Sequence, residues 1–143
     1  MTPRIFPIGT VHKAASSTVI RVEASCREAL LGLDGFSHLI LIYWLDRNDL
    51  PERRAVRRVH PRGNPANPLT GVFGTRSPRR PNPIGLDVVR LLSLEEDGLR
   101  IDRTDALDGT PVIDIKPYIP RSDAVPEASV PDWIHRVGGS DDT

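Results

Sequence analysis

Apolar and β-branched residues recur along the chain in short runs, separated by polar, Gly-bearing or Pro-bearing breaks. The runs lie at Ile5 to Val11, Thr18 to Ala24, His38 to Leu45, Gly71 to Arg76, Leu86 to Leu94, Leu99 to Arg103 and Pro111 to Ile119. Their length and composition predict strands. Val112, Asp114 and Lys116 alternate with Ile113 and Ile115, a period of two that predicts the isoleucines on a buried face and the polar residues on a wet one. His38 to Leu45 is apolar on both faces, which predicts a central strand covered from both sides. Only Cys26 to Leu33 reads as a helix, with Gly32 or Gly35 as its stop. One helix among seven strands argues against an alternating βα pattern. The expected fold is mainly β: a small antiparallel β-barrel with one short helix and long Pro/Arg-rich loops.

Size changes this picture little. A chain of 143 residues makes one domain with a core large enough to need neither disulfide nor structural metal, since folding at this length buries roughly 70% of the unfolded chain's surface. The expected domain is 1–131, and 132–143, ending in Gly, Ser and Asp, is expected to be a flexible tail. No apolar run approaches the length needed to cross a bilayer, and the first residues lack the apolar core of a secretory signal, so a cytoplasmic protein is the default.

Charge changes it more. The 19 basic and 19 acidic side chains cancel, but not locally. Residues 47–90 carry ten Arg against Asp49, Glu52 and Asp87, while residues 91–143 carry five basic side chains against twelve acidic ones. Seventeen of the basic residues are Arg, whose planar fork of donors suits phosphate and carboxylate. Pro61 to Pro83 holds six Pro, three Gly and four Arg. Because it contains the strand-like Gly71-Val-Phe and runs into Ile84-Gly-Leu, it predicts two ordered loops flanking a strand.

His12, His38, His60 and His135 share no helical spacing, and a lone Cys26 makes no thiolate cluster, so no metal site is expected. Covalent catalysis has no visible candidate, and neither a dinucleotide fingerprint nor a P-loop is present. Two segments remain. In Gly71-Val-Phe-Gly-Thr-Arg-Ser-Pro-Arg-Arg-Pro-Asn-Pro-Ile-Gly85, Arg76 enters a loop stiffened by Pro78, Pro81 and Pro83, so its guanidinium loses little further freedom on binding. In Asp105-Ala-Leu-Asp-Gly-Thr-Pro-Val-Ile-Asp-Ile-Lys-Pro-Tyr118, Asp108 sits in an Asp-Gly turn, and Asp114, Lys116 and Tyr118 are projected to one side of a strand. Each alone also fits a tight turn with a local ion pair.

Together, with Ile8-Gly-Thr-Val11 and Leu33-Asp-Gly-Phe-Ser-His-Leu39, they closely resemble the TrmO-like (YaeB or TsaA-like) family of S-adenosylmethionine-dependent tRNA methyltransferases, which methylate N6 of threonylcarbamoyladenosine beside the anticodon. The resemblance implies a small β-barrel working as a homodimer, with S-adenosylmethionine bound near the subunit interface. By position it implies that Arg76 binds the cofactor, that Leu86 packs near its adenine, that Leu107, Asp108 and Gly109 meet it through the turn, and that Asp46 and Arg47 form a further contacting pair. Two departures are expected to matter: the Pro/Gln-containing N-terminal loop of the family is missing after His12, and the chain stops before the C-terminal domain that larger members use on tRNA.

Methyl transfer requires an in-line approach of nucleophile to methyl, and holding the reactants within about 3 to 3.5 Å removes much of the barrier. An amide or ureido nitrogen attacks poorly until a base draws off its proton. Asp114 and Tyr118 are the candidate bases, with Lys116 orienting them or a substrate carboxylate. Arg53, Arg54, Arg57, Arg58 and Arg62 are the candidate phosphate surface for tRNA. The alternatives are the same scaffold methylating another modified base or a small molecule, and a non-catalytic RNA-binding barrel.

Overall fold

The computed structural model describes residues 1–135; the remainder of the expected 132–143 tail lies outside the described residues, and Asp132–His135 forms a 3₁₀ turn. Eight strands form in chain order: β1 (Gly9–Ala14), β2 (Ser17–Val22), β3 (His38–Trp44), β4 (Arg58–Val59), β5 (Thr70–Gly71), β6 (Ile84–Glu95), β7 (Gly98–Ile101) and β8 (Pro111–Pro117). Six of them close into an antiparallel barrel in the order β1-β2-β7-β6-β3-β8, with β8 returning to pair β1. Closure leaves no free sheet edge in the barrel. Among the described residues no helix is long and apolar enough to cross a membrane.

The chain divides into two compact units. The barrel unit is Met1–Leu45 with Ile84–Asp123; the second comprises Asp46–Pro83 and the described residues from Ala124 to His135. The barrel is filled by Val11, Ile20, Val22, Leu39, Leu41, Tyr43, Val89, Leu99, Ile101, Ala106 and Val112. All but Ala106, which lies in the loop before β8, come from alternate positions on their strands, as a two-residue period requires. On β3 the inward row is Leu39, Leu41 and Tyr43, and the outward row His38, Ile40, Ile42 and Trp44 is only half-buried. The strand is central, between β6 and β8.

Three local expectations are corrected. Ile113 and Ile115 do not share a buried face. The β3–β8 register shifts between Ile42, opposite Asp114, and Tyr43, opposite Val112, so Ile113 is the extra residue of a bulge. Val112 and Ile115 reach the core instead. A bulge of this kind reverses the alternation downstream of it and re-aims side chains. Gly71 to Arg76 is not a strand: after β5 the chain turns through a 3₁₀ turn at Val72–Gly74, with Val72 buried and Phe73 exposed. The helix expected over Cys26 to Leu33 is a 3₁₀ segment, Ala24–Leu30, with no side-chain cap and no fully buried residue. Only Cys26, Leu30 and Leu33 rest against the core, too little apolar contact to carry a longer α-helix.

One turn depends on glycine outright. Gly98 opens β7 and pairs with Glu95 at the turn that joins β6 to β7, and a Cβ there would run into the carbonyl oxygen of Ile20.

Candidate functional site

In the barrel unit, β8 and its approach loop carry most of the candidate chemistry. Asp114 and Lys116 stand on the same outward face, as expected, with Lys116 Nζ 3.1 Å from Asp114 Oδ2. The other carboxylate oxygen accepts the amide of Ile115 at 2.8 Å. Both side chains are about half exposed, so the ion pair itself stabilises the fold little. Tyr118 lies just past the strand, half-buried, with its amide donating to His38 O at 3.0 Å.

Register extends this group across the barrel wall. Asp114 is opposite Ile42, which is opposite Leu86; in the next row Lys116 is opposite Ile40, which is opposite Val88. Directly paired residues of an antiparallel sheet share a face. Asp114, Lys116 and Leu86 are thereby brought onto one outer surface, around an apolar patch of Ile40, Ile42, Ile84, Leu86 and Val88. Ile84, Leu86 and Val88 are each more than 40% exposed. Next to it an apolar cleft of about 270 Å³ is lined by Ile5, Phe6, Pro7, Trp44, Pro111 and Ile113. Sequence reading missed this cleft, because the bulge that puts Ile113 there has no local signature.

Leu107, Asp108 and Gly109 form the turn leading into β8, and all three are exposed. The turn is held to β1 from several sides. Lys13 N–H donates to Asp108 Oδ1 at 2.8 Å, Gly109 N–H donates to Val11 O at 2.8 Å, and Lys13 Nζ donates to Thr104 O at 2.7 Å. Gly109 has φ +86°, a left-handed conformation that glycine adopts without penalty. Asp108 Oδ1 is therefore structural, while Oδ2 remains available. The turn borders an open polar groove of about 580 Å³ shared with His12, Lys13, Arg21, Glu95 and Arg100. That groove includes neither Leu86 nor Asp114, so Asp108 is not gathered into one cavity with them.

In the second unit, Arg76 is exposed between two buried hydroxyl residues, Thr75 and Ser77. Thr75 Oγ1 donates to Val72 O at 2.9 Å and accepts Ser77 N–H at 3.1 Å. Ser77 Oγ accepts Arg79 N–H at 3.2 Å, and Arg80 Nη1 donates to the carbonyls of Thr75 and Ser77. The loop is locked from within, and Arg76 makes no hydrogen bond or ion pair among the described residues. Stiffness was legible from the prolines; the hydroxyl and Arg80 lattice was not.

The Arg-rich run is less uniform than its sequence. Arg53 donates to Arg47 O and to Asn48 Oδ1. Arg54 bonds Asp49 at 2.8 Å, Pro81 O at 2.8 Å and Asn82 Oδ1 at 3.1 Å, tying the short helix Pro51–Arg54 to the proline loop. Arg57 donates to Arg54 O at 2.7 Å. Arg62, half-buried in the Pro61–Gly63 turn, is the one non-glycine with positive φ among the described residues, at 59°. The guanidinium groups of Arg47, Arg58 and Arg79, all exposed, have no partner among the described residues. Asp46 and Arg47 lie together in a 3₁₀ turn just after β3. Among the described residues no group of three or more His, Cys, Asp or Glu side chains could hold a metal ion.

The chain is similar to known proteins. The chain is 42% identical over 117 residues to a probable S-adenosyl-L-methionine-binding protein of Methanocaldococcus jannaschii, covering 82% of this chain and 93% of that one. It is 40% identical over 136 residues to the mouse (Mus musculus) tRNA (adenine(37)-N6)-methyltransferase, covering 95% of this chain but 31% of the mouse protein. A crystal structure of TrmO superposes with a TM-score of 0.72 at 32% identity, over 91% of this chain and 64% of that one. The chain thus spans nearly all of the archaeal relative and less than two thirds of the TrmO structure. The tRNA-methyltransferase O N-terminal domain matches residues 2–124, and the chain therefore belongs to the TrmO family.

Proposed function

We propose that the chain methylates N6 of threonylcarbamoyladenosine at position 37 of tRNA. As a TrmO-family protein it is an S-adenosylmethionine-dependent methyltransferase. Each residue that the resemblance assigns to the cofactor has chemistry that suits it: the Arg76 guanidinium, without a partner among the described residues, suits a carboxylate, the exposed side chains of Leu86 and Leu107 suit an adenine, and the outer oxygen of Asp108 suits a hydroxyl. Asp46, Arg47 and the Gly109 backbone are assigned to it by the same resemblance. When bound, S-adenosylmethionine supplies an electrophilic methyl group.

The chain's own contribution is positioning and proton transfer. Asp114 or Tyr118 accepts the proton of the acceptor nitrogen, and Lys116 orients them or pairs with a carboxylate on the substrate. The Arg53–Arg62 run meets phosphates: Arg58 offers an uncommitted guanidinium, while Arg53, Arg54 and Arg57 shape the surface and add charge. Arg47 and Arg79 extend it. The exposed Ile84, Leu86 and Val88 row supports a homodimer formed through the outer face of β3 and β6, since apolar patches of this kind mark interfaces.

The observation that carries this reading is Arg76, exposed and without a partner among the described residues, on a loop locked by its own hydroxyls, inside the family match. The deciding experiment combines calorimetric titration with S-adenosylmethionine and mass spectrometry of nucleosides from treated tRNA. A mass gain of one methyl on threonylcarbamoyladenosine is the expected result. Cofactor binding with modification of a different base overturns the acceptor assignment, and no cofactor binding overturns the whole reading.

A further inference from the structure

Asp87 is a carboxylate on the inward row of β6, opposite Leu41. One of its oxygens, Oδ2, accepts three hydrogen bonds: from Tyr43 Oη at 3.1 Å, from Thr104 Oγ1 and from Asp105 N–H at 3.0 Å. Thr104 Oγ1 in turn accepts Ala106 N–H at 3.1 Å. Thr104 and Ala106 are buried. From this anchor the chain emerges directly into the exposed Leu107–Gly109 turn, whose far side is fixed to Lys13 and Val11. An ionised acceptor bound to several donors makes hydrogen bonds about twice as strong as neutral ones. The Tyr43 phenol stays a donor here, since burial and the neighbouring Asp87 raise its pKa above the usual range.

We infer that Asp87, acting through Thr104 and the amides of Asp105 and Ala106, is a positioning residue that sets the geometry of the cofactor-contacting Leu107–Gly109 turn. The inference rests on the cofactor reading above. Asp87 touches no ligand in this scheme. It acts from inside the barrel, and it converts the rigidity of β6 and β3 into a fixed approach for the turn. Without it, three donors lose their common acceptor, the loop gains conformations, and the cofactor must select one of them, lowering its apparent affinity by the fraction that remains competent.

The test compares Thr104→Val, Thr104→Ser, Asp87→Asn and the unaltered chain, by calorimetric titration with S-adenosylmethionine and by amide hydrogen exchange. Thr104→Val should raise the cofactor Kd about tenfold and speed exchange at Asp105 and Ala106, with the KM for tRNA unchanged. Thr104→Ser restores the hydroxyl and should return both readouts to those of the unaltered chain. Asp87→Asn keeps a carbonyl acceptor at that position, so it should raise the Kd by less than Thr104→Val does; if it fails to fold, the threonine pair alone decides. An unaltered Kd in Thr104→Val, beside an unaltered chain that binds the cofactor, overturns the positioning role alone. An unaltered chain with no affinity for the cofactor overturns the functional reading and the inference together.

Discussion

At the scale of single residues, arginines that look alike in sequence are held very differently. Arg54 is half-buried and holds Asp49, Pro81 and Asn82 together, so Arg54→Ala should lower stability by about 1 to 2 kcal/mol, read as a shift in the chemical denaturation midpoint. Arg76 holds nothing among the described residues, so Arg76→Ala should leave that midpoint unchanged and abolish S-adenosylmethionine binding by calorimetry. If both variants lose stability alike, Arg76 is a structural residue. Proline content made the stiffness of the Arg76 loop legible. Nothing in the run Arg53, Arg54, Arg57, Arg58 distinguished them, because their partners are carbonyls and amides that only the folded loop supplies. Tyr43 makes a second case. Its phenol has an ordinary pKa of 10.0, and in the fold burial, followed by Asp87, raises it. Above about pH 10 the unfolded chain ionises this phenol while the folded chain keeps its proton, so unfolding releases a proton and stability falls with rising pH. Denaturation at pH 9 and 11 should show this loss, and Tyr43→Phe should reduce it.

At the scale of elements, the barrel strands were legible because each carries a two-residue period or a β-branched run; all but β1 are centred within the run that predicts them, while β1 spans Gly9–Ala14 and begins later than the run Ile5 to Val11. What escaped was whatever depends on a partner strand. The bulge at Ile113 exists only in the register between β3 and β8, and the short β5 ends where Val72 N–H donates to Arg57 O at 2.9 Å, one pair beyond Arg58 and Gly71. The same dependence governs the β6–β7 hairpin. Gly98 pairs with Glu95 on one side and Arg21 on the other, and its Cα faces the Ile20 carbonyl so closely that any Cβ displaces β2. Gly98→Ala should therefore cost more than about 2 kcal/mol in equilibrium denaturation, although alanine has the better intrinsic propensity on most scales. A cost below about 0.5 kcal/mol would mean that β2 and β7 can separate locally, and that the barrel is not closed tightly there.

At the scale of the whole molecule, a net charge of zero conceals a division that matters for a polyanionic substrate. Ten arginines fall within residues 47–90, against three acids, and the later segment is acidic; a neutral protein can thus bind RNA with one region while the rest opposes non-specific adhesion. Affinity for tRNA should accordingly fall with salt, with a slope in log–log form that counts the phosphates neutralised. Substituting Arg58 and Arg79 by Ala should flatten that slope by about one unit each, with cofactor affinity unchanged. Filter binding at 50 to 200 mM salt reads this directly. A slope untouched by both substitutions would move the RNA surface elsewhere on the molecule, and a slope near zero in the unaltered chain would favour a small-molecule acceptor, since it is phosphate contact rather than base contact that makes association sensitive to salt.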